Sequence, residues 1–253
     1  MTDHAHPRYI DLSHEIVDGM TTHPGIPGPT ISTFLSYEDS KARYAPGTTF
    51  AIGRIDLVAN TGTYIDTPAH RFEGRGDTAD LALAAVVDLP GLVVDCREMA
   101  MADDRAIGPE AFDGVDVGGR AVLVRTGWDR HWGTPEYLVG HPFLTGPAAE
   151  RLLGAGAVAI GVDTLNVDSL DDPSRPAHTA ILGAGLPLIE HMTNLGALPA
   201  EGFRFFAVPP RIRGMATLPV RAFAIVDCLA LVHAADALSD RRTVVGYDAH
   251  ARE

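Results

Sequence analysis

Short apolar runs interrupted by one helix-like segment restrict the folds that this chain can adopt. Residues 89–96, 120–126 and 158–162 are rich in aliphatic side chains and are typical of buried strands. Between the second and third runs, residues 147–155 have apolar side chains at helical spacing and end at glycines, as a helix with a C-terminal glycine does. A strand–helix–strand order is typical of sheets with crossover helices. The sequence therefore predicts an α/β fold.

Charge and hydropathy exclude some classes of function. The chain carries a net charge of −13 and has no run of basic residues, so we expect no binding to nucleic acid, which requires clustered Lys and Arg. No apolar run reaches the roughly 18 residues of a membrane-spanning helix, and the first ten residues lack the apolar core of a signal peptide. The sequence predicts a cytoplasmic protein that does not associate with membranes.

Nothing in the sequence divides the chain into parts. No internal repeat, low-complexity tract or linker is evident, so we expect one domain over residues 1–253, with peripheral tails at 1–7 and at about 237–253. The two cysteines, Cys96 and Cys228, each follow an apolar segment. Buried free thiols are the expected state for both.

The stretch from Asn60 to His70, which reads NTGTYIDTPAH, contains the side chains best suited to chemistry. An apolar alternation at 50–58 predicts a strand before it, and Pro68 argues against a regular helix. Asp66 and His70 therefore stand on a stiff segment after a strand, where α/β enzymes often present ligands or acid/base groups. The same residues equally fit a turn capped by Asp66 and a histidine at the surface.

The stretch resembles the signature of the cyclase family that includes bacterial kynurenine formamidases, a pattern of the form His-x-Gly-Thr-His-x-Asp-x-Pro-x-His. The matching residues are Gly62, Thr63, Asp66, Pro68 and His70. Asn60 and Tyr64 stand in place of the two leading histidines. The resemblance extends over residues 8–230, because the run Arg-Thr-Gly-Trp at 125–128 and the twelve-residue spacing of His178 and Glu190 also match the family.

This resemblance implies a swivelling β/β/α fold, one or two divalent metals and a homodimer or homotetramer. It also implies that Asp66, His178 and Glu190 bind one metal and that His70 is the general acid/base. The other metal would need the two missing histidines. Asn60 offers only a neutral carbonyl oxygen, and Tyr64 is protonated at neutral pH, so both are poor ligands for zinc. We expect one zinc, manganese or iron ion at most.

Three functions remain open at this point. The first is a hydrolase of a small amide or lactone, with one metal and His70 as acid/base. The second is a metal-free cyclase, dehydratase or isomerase that uses His70 and Tyr64. The third is a non-catalytic member that binds a ligand. A standard kynurenine formamidase is not expected, because the metal pair cannot be assembled from these residues.

Four further residues are candidates for contact with a small-molecule substrate. Asn60 can donate a hydrogen bond to it, and Arg71 can meet an anionic group. In the family, an early loop and the end of one strand border the pocket, which points to His23 in the Gly- and Pro-rich loop 19–29 and to Trp128. Exposed positions for His23 and Arg71, and core packing for Trp128, are the structural alternatives.

Overall fold

The computed structural model describes residues 7–226. The predicted tail residues 1–6, Cys228 and the tail from about 237 lie outside the described residues. Within the described part the strands are β1 Arg8–Asp11, β2 Thr30–Leu35, β3 Ile52–Asp56, β4 Tyr64–Asp66, β5 Leu89–Asp95, β6 Ala106–Ile107, β7 Ala121–Arg125, β8 Phe143–Leu144, β9 Ala159–Val162, β10 Leu188–Glu190, β11 Glu201–Phe206, β12 Thr217–Pro219 and β13 Phe223–Val226.

Helices are short and few in the same part of the chain. The α-helices are α1 Tyr37–Ser40, α2 Arg97–Ala100, α3 Gly146–Gly154 and α4 Pro176–Gly183. The 3-10 helices are Pro68–His70, Leu83–Ala85, Pro109–Phe112, Trp128–His131, Pro135–Leu138 and Leu195–Ala197. None of the helices within residues 7–226 combines the length and apolar character that crossing a membrane requires.

Nine strands form one mixed sheet in the order β1-β13-β11-β5-β7-β9-β10-β4-β12. Its centre, β5-β7-β9-β10, is parallel, and antiparallel strands flank it on both sides. Parallel neighbours need crossover connections, and α3 and α4 lie in the two segments that lead into β9 and β10. The predicted α/β class is therefore confirmed.

Both faces of the sheet are buried, as is usual for parallel strands. Alternation along β7 shows this directly, because Val122 and Val124 pack with α3 and α4 on one face while Ala121 and Leu123 belong to the core of the other. Cys96, at the end of β5, is buried with a free thiol, as predicted, and burial raises its pKa to about 12.

The structure corrects several sequence expectations. The segment 50–58 does form a strand, β3, but it pairs only with β2 in a separate two-stranded sheet whose strands are almost entirely exposed. Helix α4, which carries His178, begins at Pro176, because proline suits the first turn of a helix. The two three-residue strands β4 and β10 were not predicted, since three residues are too few to show a periodic pattern.

Candidate metal centre

Adjacent strands at one side of the sheet bring the signature residues together. Strand β4 lies between β10 and β12, and Tyr64 is directly opposite Glu190 while Asp66 is opposite Leu188. Tyr64 and Asp66 are two residues apart on one strand, so their side chains share a face. The proline expected to prevent a regular helix starts the 3-10 turn Pro68–His70, which carries His70 back towards Asp66.

Asp66, His70 and His178 form a group with metal-ligand spacing. Each offers one ligand atom, and these atoms all lie within 4.8 Å of one another. The Nε2 atom of His70 is 3.9 Å from one carboxylate oxygen of Asp66, and the Nε2 atom of His178 is 3.7 Å from the other. Asp66 and His178 are buried, whereas the His70 side chain is 36% exposed, so the group is reached from the side of His70.

Asp66 lacks hydrogen-bond donors although it is completely buried. Neither of its carboxylate oxygens has a hydrogen-bond partner. A buried carboxylate without donors is strongly unfavourable unless a cation lies beside it. One carboxylate and two imidazoles are a donor set that suits zinc, manganese or iron. The residues present therefore fit a divalent metal ion.

Asp168 fixes the orientation of His178. One of its carboxylate oxygens accepts a hydrogen bond from Nδ1 of His178 at 2.7 Å and from the backbone N–H of His178 at 3.0 Å, and the other accepts from Ala177 N–H at 2.6 Å. A proton on Nδ1 leaves the lone pair of Nε2 directed at Asp66, which is how carboxylates orient histidine ligands around metals. Sequence reasoning missed this role.

Negative charge dominates the surroundings of His178. Burial by itself lowers the pKa of this imidazole, but the carboxylates of Glu190, Asp168 and Asp66 together raise it to about 10. These three carboxylates therefore favour a positive charge beside them, which either a second proton on His178 or a metal ion supplies. We call Asp66, Asp168, His178 and Glu190 the acidic cluster.

Tyr64 and Asn60, which stand in place of the two leading signature histidines, are both held by hydrogen bonds beside the site. The Tyr64 hydroxyl donates a hydrogen bond of 2.5 Å to Oε2 of Glu190, and Asn60 accepts one of 3.0 Å from Thr217. Burial, followed by the charges of Glu190 and Asp66, raises the pKa of Tyr64 well above its usual range, although a hydrogen bond with Asn60 opposes the shift. Tyr64 is thus a neutral phenol whose hydroxyl proton is directed at Glu190.

Glu190 was predicted to be the third metal ligand, and that role stays a prediction. Its Oε1 atom is 3.7 Å from Nε2 of His178, but it also accepts a hydrogen bond of 2.6 Å from Val167 N–H. Both oxygens of Glu190 are therefore hydrogen-bonded. His70, which the family resemblance implied to be the acid/base, lies within ligand range instead.

The remaining candidates for substrate contact lie in different settings. The loop of His23 is tied to the signature, because Gly62 N–H donates to Thr22 Oγ1 at 2.9 Å. Arg71 is exposed and donates to Thr179 at 3.1 Å. The alternative of core packing holds for Trp128, which is buried and donates to the Tyr137 carbonyl at 3.1 Å. These three roles in substrate binding stay predictions.

A family model, relatives in sequence and solved structures all match this chain. The model of the family described as "Putative cyclase" matches residues 10–169. Kynurenine formamidase of Bacillus cytotoxicus is 28% identical over 214 residues, which cover 85% of this chain and 95% of that protein. Isatin hydrolase A from Labrenzia aggregata, solved with benzyl benzoate, has a TM-score of 0.74 and 25% identity over 87% of this chain and 94% of its own.

A second isatin hydrolase structure, bound to the product analogue thioisatinate, has a TM-score of 0.74 at 24% identity and covers 87% of this chain and 93% of its own. At that identity the likeness concerns the fold alone. The predicted swivelling β/β/α fold is confirmed by these structural likenesses.

Proposed function

This chain belongs to the cyclase family, and from that premise we propose that it is a metal-dependent hydrolase of small amides or lactones with one metal ion. The observation that carries the proposal is the buried Asp66 carboxylate, whose two oxygens have no hydrogen-bond donor while two imidazoles lie within ligand range. Such a carboxylate is strongly destabilising in a folded protein unless a cation pairs with it.

Asp66, His178 and His70 would hold the ion. A divalent metal, when bound, supplies Lewis-acid activation of a carbonyl group and of water. Asp168 keeps His178 in the tautomer that presents Nε2, and the neutral Tyr64 holds Glu190 by its hydroxyl proton. Burial of Asp66 and His178 excludes water from one side of the group, so a substrate would approach from the side of the partly exposed His70.

The names of the relatives support an amide as the substrate. A kynurenine formamidase acts, by its name, on a formamide, and an isatin hydrolase acts on isatin, which is a cyclic amide. We therefore propose a small linear or cyclic amide, with a lactone as the chemically closest alternative.

Two roles are compatible with the position of His70 within this proposal. Its distance to Asp66 suits a third metal ligand, and its partial exposure suits a general acid/base that protonates the leaving group. A His70→Ala variant separates the two roles. If His70 is a ligand, the variant loses metal; if it is the acid/base, the variant keeps metal and loses turnover.

The test is the metal content of the purified protein, measured by plasma mass spectrometry, together with hydrolysis of isatin and of formanilide. We expect about one zinc, manganese or iron ion per chain. An Asp66→Asn, His178→Ala double variant should lose it, and a His131→Ala variant, altered outside the site, should keep it. Chelator should abolish hydrolysis. Absence of metal after incubation with each of these ions would contradict the proposal, and turnover by metal-free protein would favour proton-transfer chemistry at His70 instead.

We also propose that the chain is cytoplasmic and acts as a homodimer or homotetramer. Support for self-association comes from the β2–β3 pair, because isolated two-stranded sheets are only marginally stable in water. Ile31 and Ile55 are paired across these strands and are 45% and 53% exposed in the single chain. Light scattering on the purified protein should give a mass of two or four chains, and an Ile31→Glu, Ile55→Lys variant should lower it.

A further inference from the structure

Two arginines lie in the loop that follows the 3-10 helix Pro68–His70, and both are exposed. Each of them is tied to helix α4 by a hydrogen bond. Nε of Arg71 donates to Thr179 Oγ1 at 3.1 Å, and Nη2 of Arg75 donates to the Gly183 carbonyl at 3.4 Å. Two guanidinium groups are therefore positioned along α4.

Arg71 lies directly beside the candidate metal centre. It follows His70 in the chain, and its partner Thr179 follows His178. The rings of the two histidines have centroids 5.9 Å apart. The contact between Arg71 and Thr179 thus runs next to the contact between the imidazoles, one residue further along each element, where consecutive Cα atoms are about 3.8 Å apart. Since Arg71 and His70 are both exposed, the guanidinium lies on the side from which a substrate would approach.

The Arg71 guanidinium is held in place and still has donors to offer. Its central carbon is 5.4 Å from the centroid of the Phe72 ring, and that of Arg75 is 5.9 Å from the same ring. A cation above an aromatic ring is stabilised there, which reduces the conformational entropy lost on binding a ligand. Thr179 occupies only Nε of Arg71. The terminal nitrogens remain as a fork that matches the two oxygens of a carboxylate.

Neither arginine has an acidic partner. In the described part of the chain, no carboxylate oxygen lies within the 4.0 Å of an ion pair from Arg71 or Arg75. Asp77 and Asp80, which follow in the same loop, pair with Arg213 instead. The whole chain has a net charge of −13, so two cations without acidic partners beside the metal centre are a local exception. A positive potential at this place attracts an anionic group.

We propose that Arg71 is a specificity-determining residue whose terminal guanidinium nitrogens receive a carboxylate that the substrate carries besides the amide group to be hydrolysed. The inference rests on the proposed function and narrows its substrate class to amides that bear a carboxylate. Arg75 contributes to the positive potential at the same side. A neutral amide gains nothing from these cations and leaves Arg71 hydrated.

Formanilide and the three formamidobenzoates test this, because they share the same amide and differ by a carboxylate at the ortho, meta or para position. The specificity constant kcat/KM is measured for each on the full-length protein with its metal. We expect at least one of the three acids to exceed formanilide by about tenfold or more, since hydrogen bonds to charged groups are the stronger ones. A value for formanilide that equals or exceeds those of all three acids would overturn the proposal.

Substitution of Arg71 separates recognition of the carboxylate from the reactivity of the amide. For the best of the acids, Arg71→Gln should lower kcat/KM by about 10- to 100-fold, chiefly through a higher KM, while formanilide stays within about twofold of wild type. Arg71→Lys keeps the charge but not the fork and should lie between the two. Arg43→Gln, which removes an exposed arginine elsewhere, is the matched control and should behave as wild type does.

Salt provides a readout that a purely structural role of Arg71 would not affect. An exposed charge contact is screened by ions, so higher salt should raise KM for the acid and leave formanilide unchanged. If Arg71→Gln instead impairs both substrates equally, the arginine only supports α4 and the assignment is wrong. The assignment is equally wrong if this variant treats every substrate as wild type does.

Failure of the metal proposal gives a different result. If the protein hydrolyses none of these amides, the proposed function has failed, and the same compounds then serve as ligands in calorimetry. Tighter binding of a formamidobenzoate than of formanilide by wild type, lost in Arg71→Gln, would leave the recognition of a carboxylate standing. Equal binding of all four compounds would remove it as well.

Discussion

Two histidines of this molecule, the buried His178 and the partly buried His14, have pKa values that their surroundings shift in opposite directions. In the acidic cluster, burial is outweighed by three carboxylates and the pKa of His178 rises to about 10. At His14, which stacks on Trp132, burial prevails and the pKa falls to about 4, although Asp129 opposes the shift. The comparison shows that burial lowers the pKa of both imidazoles, and that several close carboxylates outweigh it at His178 whereas Asp129 alone does not at His14.

Asp66→Asn should have the largest effect, and it should change metal binding, hydrolysis and stability. Removal of the unpaired carboxylate takes away both the charge and a ligand, so metal should be lost and hydrolysis should fall by about 1,000-fold or more. The metal-free variant should nevertheless be more stable than metal-free wild type, by about 1–3 kcal/mol, because a neutral amide replaces a buried carboxylate charge that has no hydrogen-bond donors. Urea unfolding of both proteins after chelation measures this, and a less stable variant would show that Asp66 has partners of another kind.

Asp168→Asn should have the next largest effect, since it leaves the ligands in place and disturbs their orientation. The neutral amide of Asn is a weaker acceptor for the Nδ1 proton of His178 than the carboxylate of Asp168 is. Metal affinity should therefore fall by about 10- to 100-fold. Competition with a fluorescent chelator measures the change. The exposed Asp172→Asn provides a control, because its carboxylate accepts only from Ser174.

Tyr64→Phe removes the hydroxyl group that donates to Glu190 and should have an intermediate effect on stability. Glu190 loses the donor of a 2.5 Å hydrogen bond, so the free energy of unfolding should fall by about 1–3 kcal/mol at neutral pH. The metal bound by Asp66, His178 and His70 should stay near one equivalent. Loss of metal in this variant would instead make Glu190 a ligand that depends on Tyr64.

The smallest expected effect at neutral pH concerns the histidine that stacks on Trp132, because its contribution changes only as the pH falls below 6.5. His14 has a pKa of about 4 in the folded protein against 6.5 for an ordinary histidine. The unfolded chain therefore binds more protons between these values, and stability should fall as the pH decreases from 6.5 to about 4. His14→Gln should remove up to about 1.4 kcal/mol per pH unit from that slope. Thermal unfolding of both proteins at pH 4–7 provides the measurement, and parallel slopes would contradict a neutral His14.

The central sheet could be predicted from sequence because its elements are long enough to show a pattern. β5, β7 and β9 appear as continuous aliphatic runs, and α3 has both helical spacing and a terminal glycine. The site stands on shorter elements. β4 and β10 have three residues each, so Asp66, His178 and Glu190 were predicted as candidates through the family resemblance and not through secondary structure.

Asp168 and His191 had no local signal. Asp168 accepts from a histidine ten residues further along the chain, and no helix-capping spacing connects the two. The left-handed conformation of His191 is accompanied by hydrogen bonds of its backbone with Thr63 and Thr164, which are distant in sequence. Both features involve tertiary contacts, which a single sequence does not display.

Strand β4 has a consequence for how a protein of this kind can change during evolution. It is paired on both sides, with Asp66 opposite Leu188 on one neighbour and Thr217 on the other. Main-chain pairing sets the position of Asp66 independently of the side chains at 60 and 64. The residues at 60 and 64 can therefore be exchanged beside the candidate metal ligand Asp66 without rebuilding the backbone that presents its carboxylate.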